Sequence, residues 1–170
     1  MIRRNRQVDK QVPRDIDSLL APGSQAPEFS LPSTHDKDIA LSAYRGQPVI
    51  LAFYPADFSS VCGDQLALYN ELLPLFEEYG AQLLAISVDS PQSHKEFAKS
   101  RGFRFPLLSD IEPKGAVARA YGAYDADREV CQRALYVVDH QGDIHWSHIS
   151  PAGVNPGADG ILRALESLDS

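Results

Sequence analysis

Three stretches of this chain run apolar without alternating: residues 48–54, 83–88 and 134–138. An alternating strand keeps one face in water, whereas a continuous apolar run has to be covered on both faces. Helical patterns lie between and after these runs. The chain is therefore read as α/β, with a central sheet held between layers of other elements.

Residues 60–79 carry Leu66, Tyr69, Leu73 and Phe76 three or four apart, one face of a helix that Pro74 should kink or split and Gly80 should close. Ser90 can cap the next helix, with Pro91 in its first position and Gly102 at its end. Residues 103–123 are less regular and are read as an insertion with a short helix at 115–121. Residues 139–142 form a turn, 143–150 return as a fourth strand, and Ala158, Ile161, Leu162, Leu165 and Leu168 stripe a closing helix. Near the start, residues 26–31 and 39–41 alternate around a polar 33–37, which reads as a small hairpin. Two parallel crossovers followed by an antiparallel pair give the thioredoxin order. The predicted fold is thus a thioredoxin-like mixed sheet flanked by helices, with an N-terminal hairpin.

The chain suits one domain, placed at residues 21–170, with residues 1–20 as a basic flexible tail. Residues 1–14 hold five basic side chains against Asp9, a net +4 within a chain of −7, so the remainder carries −11. That balance argues against a nucleic-acid partner. No apolar run approaches a membrane span or follows the basic start as a secretory signal requires, so a cytoplasmic location is expected. Two cysteines, Cys62 and Cys131, are too few for a disulfide scaffold or a four-cysteine metal site. His145 and His148 lie three apart, which on a strand sends them to opposite faces, so no metal site is assigned to them.

The chemistry gathers between the first covered strand and its helix, in Tyr54-Pro55-Ala56-Asp57-Phe58-Ser59-Ser60-Val61-Cys62. Open α/β sheets collect ligands at the carboxyl ends of their strands. With Ser59 as N-cap, Cys62 is the third helical residue, on the same side as the capping hydroxyl. Unpaired N–H groups and the positive end of the helix dipole favour a thiolate there.

Pro55-x-x-x-Ser59-x-x-Cys62 resembles the Pro-x-x-x-Thr/Ser-x-x-Cys signature of peroxiredoxins, the alkyl hydroperoxide reductase/thiol-specific antioxidant family. That family also has an arginine opening a later strand, matched by Arg133 in Arg133-Ala134-Leu135-Tyr136-Val137-Val138-Asp139. The resemblance covers about residues 21–168, and its middle and end look most like the bacterial one-cysteine AhpE-type branch. It implies a thiol-dependent peroxidase for hydrogen peroxide or organic hydroperoxides, with Cys62 oxidised to a sulfenic acid. In it Arg133 would stabilise thiolate and leaving oxygen, Ser59 and the Cys62 N–H would address the peroxide, and Pro55 would shape the shielding loop. No cofactor or metal is implied. The implied reductant is an external thiol such as thioredoxin, glutaredoxin or a low-molecular-weight thiol, and a homodimer is expected.

The chain departs from the family at Ser59, where threonine is usual, and at Gly63-Asp64-Gln65, where Pro-Thr-Glu is common. Positions that hold a second cysteine in other branches do not hold one here; five residues on stands Ala67. Cys131 remains as a resolving candidate. Two residues before Arg133, it is expected on the same side of a strand as that arginine, yet too distant for a bond unless the first turn of the helix unwinds. Two rival readings are a thiol redox sensor or holdase and a thioredoxin-like disulfide oxidoreductase. The latter wants Cys-x-x-Cys, and Gln65 stands at its last position.

Overall fold

The computed structural model describes residues 19–169. Most of the basic N-terminal stretch therefore lies outside the described residues, but Leu19 and Leu20 already pack on the core and the Leu20 N–H donates to Tyr136 Oη at 2.9 Å.

The N-terminal hairpin pairs β1 (Ser30–Pro32) with β2 (Asp38–Ala40), turning Leu31 and Ile39 inward. Then come β3 (Val49–Phe53), α1 (Ser60–Glu71), α2 (Leu73–Glu78), β4 (Gln82–Ser87) and α3 (Pro91–Arg101). They are followed by β5 (Leu107–Ser109), α4 (Ala116–Ala120), β6 (Tyr124–Asp125) and β7 (Val130–Cys131), and finally by β8 (Arg133–Val138), β9 (Ile144–Ser150) and α5 (Asp159–Leu168). The main sheet has the order β5-β4-β3-β8-β9, with β3, β4 and β5 parallel and β8 and β9 antiparallel.

Pro74 splits the long helix between α1 and α2, since a proline inside the second segment's first turn needs no N–H there. Ser90 caps α3 by accepting from the Ser93 N–H, and Gly102 ends it at φ 68°, a left-handed turn that costs glycine little. One expectation needs correcting. The stretch 103–123 is not merely an insertion: it holds the edge strand β5, where the second parallel crossover ends. Three residues are too few to show a period.

Alternate residues of each strand feed two separate cores. Leu51, Phe53, Leu84, Ile86, Ala134 and Tyr136 meet the hairpin and α4 on one face. Ile50, Ala52, Leu83, Ala85, Leu135 and Val137 meet α1, α2, α3 and α5 on the other. Every residue of β3 and β8 is buried, as their unalternating sequences demand. The fourth strand breaks its alternation at a bulge opposite Val137 and Val138. As a result His145 and Trp146 both reach α5, at Ser167 and Gly160, and Trp146 stacks on His148. The expected opposite facing of the two histidines fails at that bulge.

Candidate active site

Cys62 sits in the first turn of α1, completely buried. Ser59 is the N-cap, extended at ψ 138°, and its hydroxyl accepts from the Cys62 N–H at 3.4 Å. That N–H was expected to face an incoming oxygen; the cap engages it instead. Because β8 runs antiparallel to β3 with Ala134 opposite Phe53, Arg133 enters beside the carboxyl end of β3, next to the loop that starts at Tyr54.

Arg133 is buried, and every nitrogen of its guanidinium is used. Nη1 donates to Cys62 Sγ at 3.3 Å and to Gln65 Oε1 at 2.9 Å. Nε and Nη2 donate to the Ala152 carbonyl at 3.1 and 2.5 Å. A permanently charged fork held this way sets a fixed positive charge and a hydrogen-bond donor beside the sulfur. Gln65 lies one turn beyond Cys62 and passes the chain on: its Nε2 donates to Tyr69 Oη, whose hydroxyl donates to the Gly157 carbonyl. Burial pushes the Tyr69 phenol up to about 12, so it serves as a neutral hydrogen-bonding group. Gln65 was noted in the sequence only as a departure. Its spacing of three from Cys62 was the available sign that it shares the site.

Pro55 lines a hollow of about 220 Å³ with Arg133, Ile149, Pro151 and Ala152, which leads from solvent to the arginine. A larger hollow, about 310 Å³, lies between the hairpin and α3 and contains no thiol.

Cys131 lines the same hollow as Pro55 and Arg133, but belongs to the other core. It packs with Phe53, Ala134 and Tyr136, in the core opposite the one that contains Cys62. The expected shared side with Arg133 fails because β7 pairs with β6, outside the main sheet, and the chain turns at Gln132 before β8 begins. Both cysteines are free. Burial, and then the charges of Asp110 and Asp89, push the Cys131 thiol well above its ordinary value.

A second polar cluster was not foreseen. The Asp57 carboxylate accepts from Tyr54 Oη at 2.7 Å and Ser93 Oγ at 2.7 Å, and meets His94 Nδ1 at 2.8 Å. His94 Nε2 faces the Leu108 carbonyl at 3.0 Å. Asp57, Asp89 and His94 have donor atoms within 4.8 Å of one another, but hydrogen bonds among themselves and with Ser87, Ser93 and Tyr54 engage them. Burial, then the Asp57 charge, raise the Tyr54 phenol well above its usual value, so it too remains a donor.

The AhpC/TSA family matches residues 22–147. Alkyl hydroperoxide reductase E of Mycobacterium tuberculosis is 38% identical over 136 residues, spanning 79% of this chain and 89% of that protein. A thioredoxin peroxidase of Echinococcus granulosus is 34% identical over 156 residues, 86% of this chain and 80% of that one. Among solved structures, Mycobacterium tuberculosis AhpC superposes with a TM-score of 0.81 at 28% identity, covering 90% of this chain and 95% of its own. The reduced 2-Cys peroxiredoxin of Plasmodium vivax gives 0.81 at 26% identity, covering 88% and 82%. The chain belongs to the AhpC/TSA family and is a peroxiredoxin with the thioredoxin-like fold.

Proposed function

We infer that the protein is a thiol-dependent peroxidase in which Cys62 reacts with hydrogen peroxide or an organic hydroperoxide. One observation carries the assignment of roles: a buried arginine places Nη1 at 3.3 Å from a cysteine sulfur in the capped first turn of a helix. The Cys62 thiolate attacks the terminal peroxide oxygen, the S–O bond forms and the O–O bond breaks. The leaving alkoxide or hydroxide takes a proton, giving an alcohol or water and a Cys62 sulfenic acid. Arg133 faces both the thiolate and the oxygen on which charge develops. Ser59 holds the turn that carries the sulfur, and Pro55 walls the approach.

An external thiol then reduces the sulfenic acid; thioredoxin, glutaredoxin and small thiols are the proposed class. Cys131 lies across the sheet, which favours an external reductant over an internal one. The same placement, with Gln65 three residues after Cys62, leaves the disulfide oxidoreductase reading without support. A homodimer is proposed along β9, an edge strand that carries the exposed Ile149 and is followed by the exposed Val154. No helix among the described residues is long and apolar enough to cross a membrane. Two free thiols fit a reducing cytoplasm.

Cys62→Ser should abolish peroxide consumption with the fold retained, because a serine hydroxyl does not ionise at neutral pH. Repeated turnover of the unaltered protein with a thiol reductant separates a peroxidase from a sensor that oxidises once and stops. Normal peroxide consumption by the serine variant would remove Cys62 from the mechanism.

A further inference from the structure

The loop from β3 to α1 has to place Ser59 and Cys62 against Arg133 with little chain to do it. Its next-to-last residue, Phe58, adopts φ 64° without being glycine, and is 57% exposed. A left-handed conformation is strained for an aromatic residue, so neighbouring contacts must hold the turn. The ring of Phe58 rests on Phe97 of α3 at 5.1 Å between centroids, which offers some support. The stronger tie is the preceding residue.

Asp57 is fixed from four directions. Tyr54 at the end of β3 and Ser93 on α3 each donate to its carboxylate. Its own N–H donates to Asp89 Oδ2 at 2.9 Å, beyond the end of β4. His94 on α3 holds the remaining side, and is itself anchored on the Leu108 carbonyl of β5. His94 is completely buried and Asp57 nearly so. The histidine thus ties the loop to α3 and to the edge of the sheet, although it has no hydrogen bond to Cys62, Ser59 or Arg133. A buried ionisable pair that served packing alone would be replaceable by apolar groups of similar volume. Here the pair adjoins the one strained step of the loop.

We propose that His94 is a positioning residue for peroxide reduction: through Asp57 it fixes the turn that presents Cys62 to Arg133. This rests on Cys62 being the residue that reacts with peroxide. Attack on peroxide needs sulfur, arginine and hydroxyl in register, and small displacements of such an array cost orders of magnitude in rate. Alkylation by iodoacetamide needs a thiolate that the reagent can reach, but no alignment with Arg133 and a hydroxyl. Loosening the turn should therefore slow the first reaction far more than the second.

Two substitutions in the full-length protein separate positioning from bulk. His94→Asn puts an amide N–H where Nδ1 stands and keeps the bond to Asp57; His94→Gln puts one where Nε2 stands and keeps the bond to Leu108. The second-order rate of Cys62 oxidation by hydrogen peroxide is measured by rapid mixing beside the iodoacetamide rate. His94→Gln should lose about tenfold or more with peroxide, His94→Asn about threefold or less, and both should alkylate within about threefold of the unaltered protein. A simple volume effect predicts the opposite order, since glutamine is nearer histidine in size. Asp57→Asn should fall with His94→Gln, and the double variant should be no slower than either, as expected for two residues acting in one path. Equal losses in the two His94 variants, peroxide and alkylation rates falling in parallel, additive losses in the double variant, or no loss at all would overturn the proposal. Turnover by Cys62→Ser would instead sink the assignment of Cys62.

Discussion

Arg133 has no nitrogen to spare. Nη1 is shared by Cys62 and Gln65, while Nε and Nη2 grip one carbonyl in the loop after β9. A lysine in its place keeps the charge but has one donor centre, which cannot reach the Ala152 carbonyl and the sulfur together. Arg133→Lys should therefore slow Cys62 oxidation by about tenfold or more, the scale of losing a transition-state donor, while the urea midpoint moves much less. An unchanged rate in rapid mixing would make Arg133 structural. At this scale the sequence was informative where a residue's type and its neighbours agreed: Cys62 three places after a capping serine, Arg133 opening an apolar run. It was silent where the partner lay far along the chain. Nothing local tells that His94 meets Asp57 37 residues away, or that a backbone carbonyl at Ala152 completes the arginine's set.

Elements were legible in proportion to their length. The continuous runs became β3, β4 and β8, and Pro74 and Gly102 acted as their chemistry requires. Short pieces escaped: β5 is three residues, and β6 and β7 are two each. The cost appears at Cys131, whose facing was projected through Gln132 as though one strand ran on. The break puts its thiol into an apolar core, where burial raises it well above its ordinary value. The consequence for stability has a definite sign. A thiol that resists ionising in the native state but ionises freely when unfolded leaves stability intact below the unfolded value of about 8.5. Above that, stability falls by up to about 1.4 kcal/mol per pH unit until the folded value is reached. Urea unfolding at increasing alkalinity should thus weaken the unaltered protein more steeply than Cys131→Ala. Parallel losses in the two proteins would show that Cys131 ionises alike folded and unfolded.

On the scale of the whole molecule, the sheet is a wall between two cores, and the two cysteines lie on different sides of it. An internal disulfide needs α-carbons within about 7 Å and side chains directed at each other. Unwinding the first turn of α1 releases Cys62 but leaves Cys131 buried in the core that also holds Phe53 and Tyr136. Forming the bond would require the β6–β7 hairpin to leave its core as well, two local openings rather than one. One equivalent of peroxide should accordingly add a single oxygen to Cys62, trappable as a sulfenic acid, with Cys131 still a thiol. Cys131→Ser should turn over normally with an external reductant and be no more prone to sulfinic acid than the unaltered protein. A non-reducing mass measurement showing the loss of two hydrogens after one equivalent would mean that both openings occur faster than the sulfenic acid waits, and would make Cys131 the resolving thiol.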